Sequence, residues 1–137
     1  MKRLLLVLSV LALAACGGKS ARVDSGKVSV PGGTWTNISA AQLRMLLDNK
    51  DFAFVNVHIP YEGQLARTDA FIAYNELEKN LDKLPADKNA KIVLYCRSGR
   101  MSAIAAETLA RLGYTNVWNM EGGMVAWEAL GLPLEKE

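Results

Sequence analysis

The chain has 137 residues, half of them hydrophobic, with 16 basic and 14 acidic side chains and one histidine. That is enough for one domain with a single core. It has neither the basic excess nor the K/R-rich run of a nucleic-acid binder.

The chain opens MKRLLLVLSVLALAAC. Lys2 and Arg3 precede an uncharged apolar run, Leu4 to Ala15. The run is shorter than the ~20 residues of a membrane span and has the form of a removable export signal over residues 1–15. Leu13-Ala14-Ala15-Cys16 resembles a bacterial lipobox, which implies an acylated Cys16 after cleavage. Ala12-Leu13-Ala14 also fits an ordinary A-x-A signal site. Without Lys2 and Arg3 the remainder carries 14 basic against 14 acidic residues and is formally neutral. If Cys16 carries lipid, Cys96 is left as an unpaired thiol.

Residues 16–33 are expected to be the acylated cysteine and a flexible tether. Gly17 to Gly33 holds five glycines, three serines and a proline, and flexible-coil scaling gives it a span of roughly 20–25 Å. The domain is expected over residues 34–137. Ser39-Ala40-Ala41-Gln42 has the form of a capping box, with Leu43, Leu46 and Leu47 as the helical stripe. Asp51 to Val57 reads as a buried strand, and a long polar loop follows. Ala70 to Tyr74 fits a short strand, and Asn75 to Leu84 a short helix stopped by Pro85. Lys91 to Tyr95 is a strand and Ser102 to Leu112 a helix, with Ile104, Thr108, Leu109 and Leu112 on one face and Gly113 past its end. Asn116 to Met120 is a strand, Gly122-Gly123 a turn, and Met124 to Leu130 a last helix. Strands alternating with helices predict an α/β fold with a mainly parallel sheet and helices on both faces.

In such sheets ligands bind beyond the carboxyl ends of the strands, and Cys96 sits at such an end. The loop Cys96-Arg97-Ser98-Gly99-Arg100-Met101 leads into a helix. Its N–H groups can form a nest around the sulfur, and Gly99 permits a backbone closed to other residues. Two arginines and a helix start favour an ionised, nucleophilic thiol, so Cys96 is the catalytic candidate, and Arg97, Ser98, Gly99, Arg100 and Met101 are the substrate-binding candidates. No metal-ligand cluster is visible. His58 reads as a loop residue with a structural role.

CRSGRMSA resembles the active loop of the rhodanese family of sulfurtransferases, and GYTNVWNMEGGMVAWEALGLPL resembles that family's carboxy-terminal stretch. The resemblance spans roughly Trp35 to Leu134. It implies a rhodanese-like α/β fold and a thiosulfate-type sulfurtransferase that forms a persulfide on Cys96 and needs no cofactor. Its partners would be a small anionic sulfur donor and a thiol, sulfite or cyanide acceptor, with no nucleic acid and with a membrane reached through lipid on Cys16. Export and Gly17 after the cysteine would place it on the periplasmic side, at the outer membrane.

One stretch departs from the pattern. The family's first strand usually ends Asp-Val-Arg, and here it reads Asn56-Val57-His58. Glu62 could supply the missing charge, although a loop carboxylate is as readily a solvated residue. Two other readings stay open. One is a non-enzymatic persulfide carrier or thiol redox sensor. The other, phosphatase or arsenate chemistry on a C-x5-R loop, fits less well, since Ser102 stands where that arginine would be.

Overall fold

The computed structural model describes residues 26–136. The readings that fall on the first 25 residues, including the signal and Cys16, lie outside the described residues. Six strands form one sheet: β1 (Gly26–Val30), β2 (Gly33–Ile38), β3 (Ala53–Asn56), β4 (Ala70–Phe71), β5 (Ile92–Tyr95) and β6 (Val117–Met120). Their spatial order is β1-β2-β6-β5-β3-β4. Only the β1–β2 pair is antiparallel. Among the described residues three α-helices pack with it: α1 (Ala40–Leu46), α2 (Arg100–Arg111) and α3 (Gly123–Ala129).

The central parallel strands β3, β5 and β6 are mostly buried, as a sheet covered on both faces requires, whereas the edge strands β1 and β4 are largely exposed. Along β5, Ile92 and Leu94 pack with Ala105, Ala106 and Leu109 of α2. The alternate residues Val93 and Tyr95 pack with Leu43 of α1 and with Met124 and Trp127 of α3. Period-2 alternation thus divides one strand between two cores. The expected α/β architecture with helices on both faces is the one observed.

The capping box forms: the Gln42 N–H donates to Ser39 Oγ at 3.1 Å, and the Ser39 N–H donates to Gln42 Oε1 at 2.8 Å.

Four expectations need correction. Residues 26–33 are not tether. They make β1, the turn and the start of β2, because Val28 and Val30 recur at strand spacing and pack against the α2-side core. Pro31-Gly32, with Gly32 at φ 97°, supplies the corner. Gly33 is needed there, since a Cβ would fall 2.6 Å from Ala110 Cβ.

The expected helix over 75–84 is two 3-10 turns, Leu77–Lys79 and Leu81–Lys83. The Asn80 side chain donates to the Glu76 carbonyl at 2.8 Å, so a side chain takes the place of a helical backbone donor. α2 begins at Arg100, two residues earlier than expected, because Gly99 at φ 94° turns the chain directly into it. Its buried face is Ser102, Ala105, Ala106, Leu109 and Ala110. Ile104 is 43% exposed. Small residues let α2 lie close to the sheet, which the larger side chains of the expected face would prevent.

Candidate active site

β5 delivers Cys96 to the carboxyl edge of the sheet, between β3 and β6. The Gly99 N–H donates to Cys96 Sγ at 3.0 Å. Ser102 Oγ, on the buried face of α2, lies 3.5 Å from the same sulfur and donates to the Gly99 carbonyl at 3.2 Å. A backbone N–H aimed at sulfur stabilises negative charge there. Cys96 is 1% exposed. The sulfur therefore lies at the base of the loop rather than on its rim.

The Gly122-Gly123 pair, expected to be a simple turn, holds this loop in place. The N–H groups of Met124 and Val125 donate to the carbonyls of Cys96 and Arg97 at 2.9 and 3.1 Å. These donors belong to the first turn of α3, where a helix leaves N–H groups unpaired. A Cβ on Gly123 would lie 2.3 Å from the Cys96 carbonyl oxygen and 2.5 Å from the Arg97 carbonyl. A Cβ on Gly99 would lie 2.9 Å from the Gly122 nitrogen. The two carbonyls are thus taken up by α3, while the Gly99 N–H faces the sulfur.

On the β3 side, the Val57 N–H donates to the Tyr95 carbonyl at 2.9 Å, carrying the strand pairing to the residue before Cys96. Asn56 is wholly buried. Its Oδ1 accepts from the His58 N–H at 3.0 Å, and its Nδ2 donates to the Gly63 carbonyl at 3.1 Å. One amide thus closes the loop 56–63 at both ends. His58 is 7% exposed, and its Nε2 donates to Glu62 Oε2. Arg97 Nη1 lies 3.6 Å from the same oxygen. The hydrogen bond from His58, aided by the charge of Arg97, holds the Glu62 carboxyl below its ordinary value against the opposing effect of desolvation. Glu62 is therefore not merely solvated.

A cleft of ≈ 600 Å³ opens beside Arg97, lined by Tyr61, Glu62, Gly63, Arg97, Glu128, Leu134 and Lys136. Of the expected binding residues, Gly99 touches the sulfur, and Arg97 borders the cleft. Ser98 is exposed and its Oγ accepts from the Arg100 N–H at 3.5 Å. Arg100 is exposed on the first turn of α2 and does not line the cleft. Met101 packs against the α2-side core. In the sequence Ser102 stands out only as a mismatch to another loop type, and nothing in its identity marks it as a neighbour of the sulfur. His58 and Glu62 could have been paired from their i, i+4 spacing only if the loop path were known.

Among the described residues no cluster of His, Cys, Asp and Glu is suited to hold a metal ion, and no helix is long and apolar enough to cross a membrane.

Comparison with known proteins matches residues 37–130 to the family described as Rhodanese-like domain. A protein named Sulfurtransferase from Allochromatium vinosum is 34% identical over 91 residues, 65% of this chain and 83% of that protein. Thiosulfate sulfurtransferase GlpE from Pseudoalteromonas translucida is 34% identical over 102 residues, 68% of this chain and 89% of that protein. A tRNA uridine(34) hydroxylase from Erwinia tasmaniensis is 29% identical over 96 residues, 66% of this chain but 27% of that protein. The crystal structure of a rhodanese-related protein from Thermoplasma volcanium superposes with a TM-score of 0.63 at 32% identity, covering 74% of this chain and 98% of that one.

Proposed function

The chain belongs to the rhodanese-like domain family, and from that premise we propose that it is a sulfurtransferase working through a persulfide on Cys96. The observation that carries this reading is the Gly99 N–H directed at Cys96 Sγ at 3.0 Å, in a loop whose Cys96 and Arg97 carbonyls are held by α3. With thiosulfate as donor, the Cys96 thiolate attacks the outer sulfur. The new S–S bond forms as the thiosulfate S–S bond breaks, and sulfite leaves with the electron pair. An acceptor thiolate, sulfite or cyanide then attacks the outer sulfur of the persulfide, and the Cys96 thiolate departs. The two half-reactions give ping-pong kinetics.

Intact mass after incubation with thiosulfate tests the reading. One added sulfur on wild type, none on Cys96→Ser, and its removal by cyanide with release of thiocyanate are expected. Failure of wild type to gain sulfur overturns the proposal. The burial of Cys96 favours a second reading, a carrier whose sulfur is drawn out by a partner. A persulfide that loads but is discharged by no small acceptor selects the carrier.

We further propose that lipid on Cys16 anchors the exported protein on the periplasmic side, at the outer membrane. The Leu13-Ala14-Ala15-Cys16 sequence supports this. Cys16→Ser should release the protein from the membrane fraction, and a variant that stays there after a high-salt wash counts against lipidation.

A further inference from the structure

The geometry points to Glu62 and His58 as a positioning pair for Arg97. This inference deepens the sulfurtransferase reading, since Arg97 follows the reacting cysteine and borders the cleft. Asn56 cannot serve the same purpose. Both ends of its amide are taken by His58 and Gly63, so it closes its own loop and carries no charge toward Arg97. Glu62 is the only carboxylate in an ion pair with Arg97 among the described residues.

A lone exposed pair of this kind would contribute little, because solvent screens it and both side chains must be ordered. Here the side chains are 54% exposed for Arg97 and 40% for Glu62. The difference lies behind the carboxylate. His58 is buried, its backbone N–H is fixed by Asn56, and its Nε2 donates to the same Oε2 that faces Arg97. The carboxylate is thus set from the protein interior, and its negative charge sets one edge of the guanidinium. A guanidinium carries five N–H donors, so one edge held by Glu62 leaves others for an anion entering the cleft. Arg97 is then pre-ordered at the loop, and less side-chain entropy is lost when the anion binds.

The test reads the charge seen at Cys96 without needing sulfur transfer. Alkylation rates of Cys96 by anionic iodoacetate and by neutral iodoacetamide are measured on the full chain, and their ratio is compared among variants. If Glu62 were only a nearby negative charge, Glu62→Gln would raise the ratio. As a positioning residue it should do the reverse, lowering the ratio by roughly threefold, the scale of an exposed charge contact. In an Arg97→Ala background the same substitution should lower it no further. His58→Ala should reproduce the fall, and His58→Gln, whose amide nitrogen can replace Nε2–H, should restore much of it. A raised or unchanged ratio in Glu62→Gln overturns the inference, as does a further fall from Glu62→Gln in the Arg97→Ala background. A wild type that alkylates with the expected ratios yet gains no sulfur from thiosulfate sinks the sulfurtransferase reading and leaves the positioning result standing.

Discussion

The loop at Cys96 is held from two sides by different means. On the α3 side the hydrogen bonds are main chain to main chain: the N–H groups of Met124 and Val125 reach the carbonyls of Cys96 and Arg97, with Gly123 beneath them. On the β3 side main-chain pairing stops at Tyr95, and the support beyond it is built from side chains, with Asn56 closing a loop and His58 holding Glu62 beside Arg97. The first fixes where the loop runs, and the second fixes what charge it presents. The main-chain side should reject any added atom, while the side-chain side should accept changes of shape but not of chemistry.

Gly123→Ala should break the comparison most severely. The new methyl would meet the Cys96 carbonyl oxygen at 2.3 Å, at a residue with φ 53°. Overpacking and the left-handed backbone together predict destabilisation on the order of 3 kcal/mol. Sulfur transfer should fall further than for any single side-chain deletion on the β3 side. A melting temperature equal to that of wild type would show slack in the brace.

Arg97→Ala and Arg100→Ala sharpen the comparison next. Loss of a charge-assisted contact of about 1.5–3 kcal/mol predicts a fall of roughly 10- to 150-fold in kcat/KM for thiosulfate at Arg97. The sequence pattern includes Arg100 as well, but Arg100 lies outside the cleft that Arg97 borders, so a smaller loss is expected there. Steady-state kinetics giving equal losses would return Arg100 to the site.

Asn56→Asp puts the usual family residue into this chain, and it should harm rather than help. The Gly63 carbonyl loses its donor, and a wholly buried position receives a carboxylate. A cost of about 1–3 kcal/mol in urea unfolding is expected. Stability equal to wild type would mean that the loop 56–63 can rearrange around a charge.

The smallest effect concerns acid. The folded Glu62 carboxyl lies below its ordinary 4.5, so its pairing stabilises the fold above that pH. The contribution is lost as pH falls through the depressed folded value. The stability gap between wild type and Glu62→Gln should therefore be widest near neutrality and close on acidification. A gap that widens in acid would reverse the sign of the argument.

This contrast also explains what could be read before the structure. β5, Cys96, the following helix and the capping box Ser39-Gln42 are local patterns, and each forms within about two residues of its expected place. Gly122-Gly123 was legible as a turn, but not as a brace, because the groups it approaches are more than twenty residues away in sequence. Glu62 was ambiguous for the same reason, since its partner Arg97 comes from another strand end. The hairpin at 26–33 was hidden by its own composition: glycine, serine and proline are residues of linkers and of turns alike, and only the spacing of Val28 and Val30 separates the two. The buried face of α2 is not legible in the sequence, because alanines carry a weak hydrophobic signal even where they pack closely.

The hairpin also decides where the molecule can be handled. Because β1 runs back along β2, Gly26 pairs with Asn37, near the strand ends that carry Cys96, rather than entering at Gly33 on the far edge. The other end of the described chain leaves on the same side, with Lys136 bordering the cleft. Anything coupled close to Gly26 or Lys136 would therefore sit at the edge of the sheet that carries Cys96. The Pro31-Gly32 corner, against Arg111 at the distal end of α2, offers a grip on the opposite edge, away from Cys96.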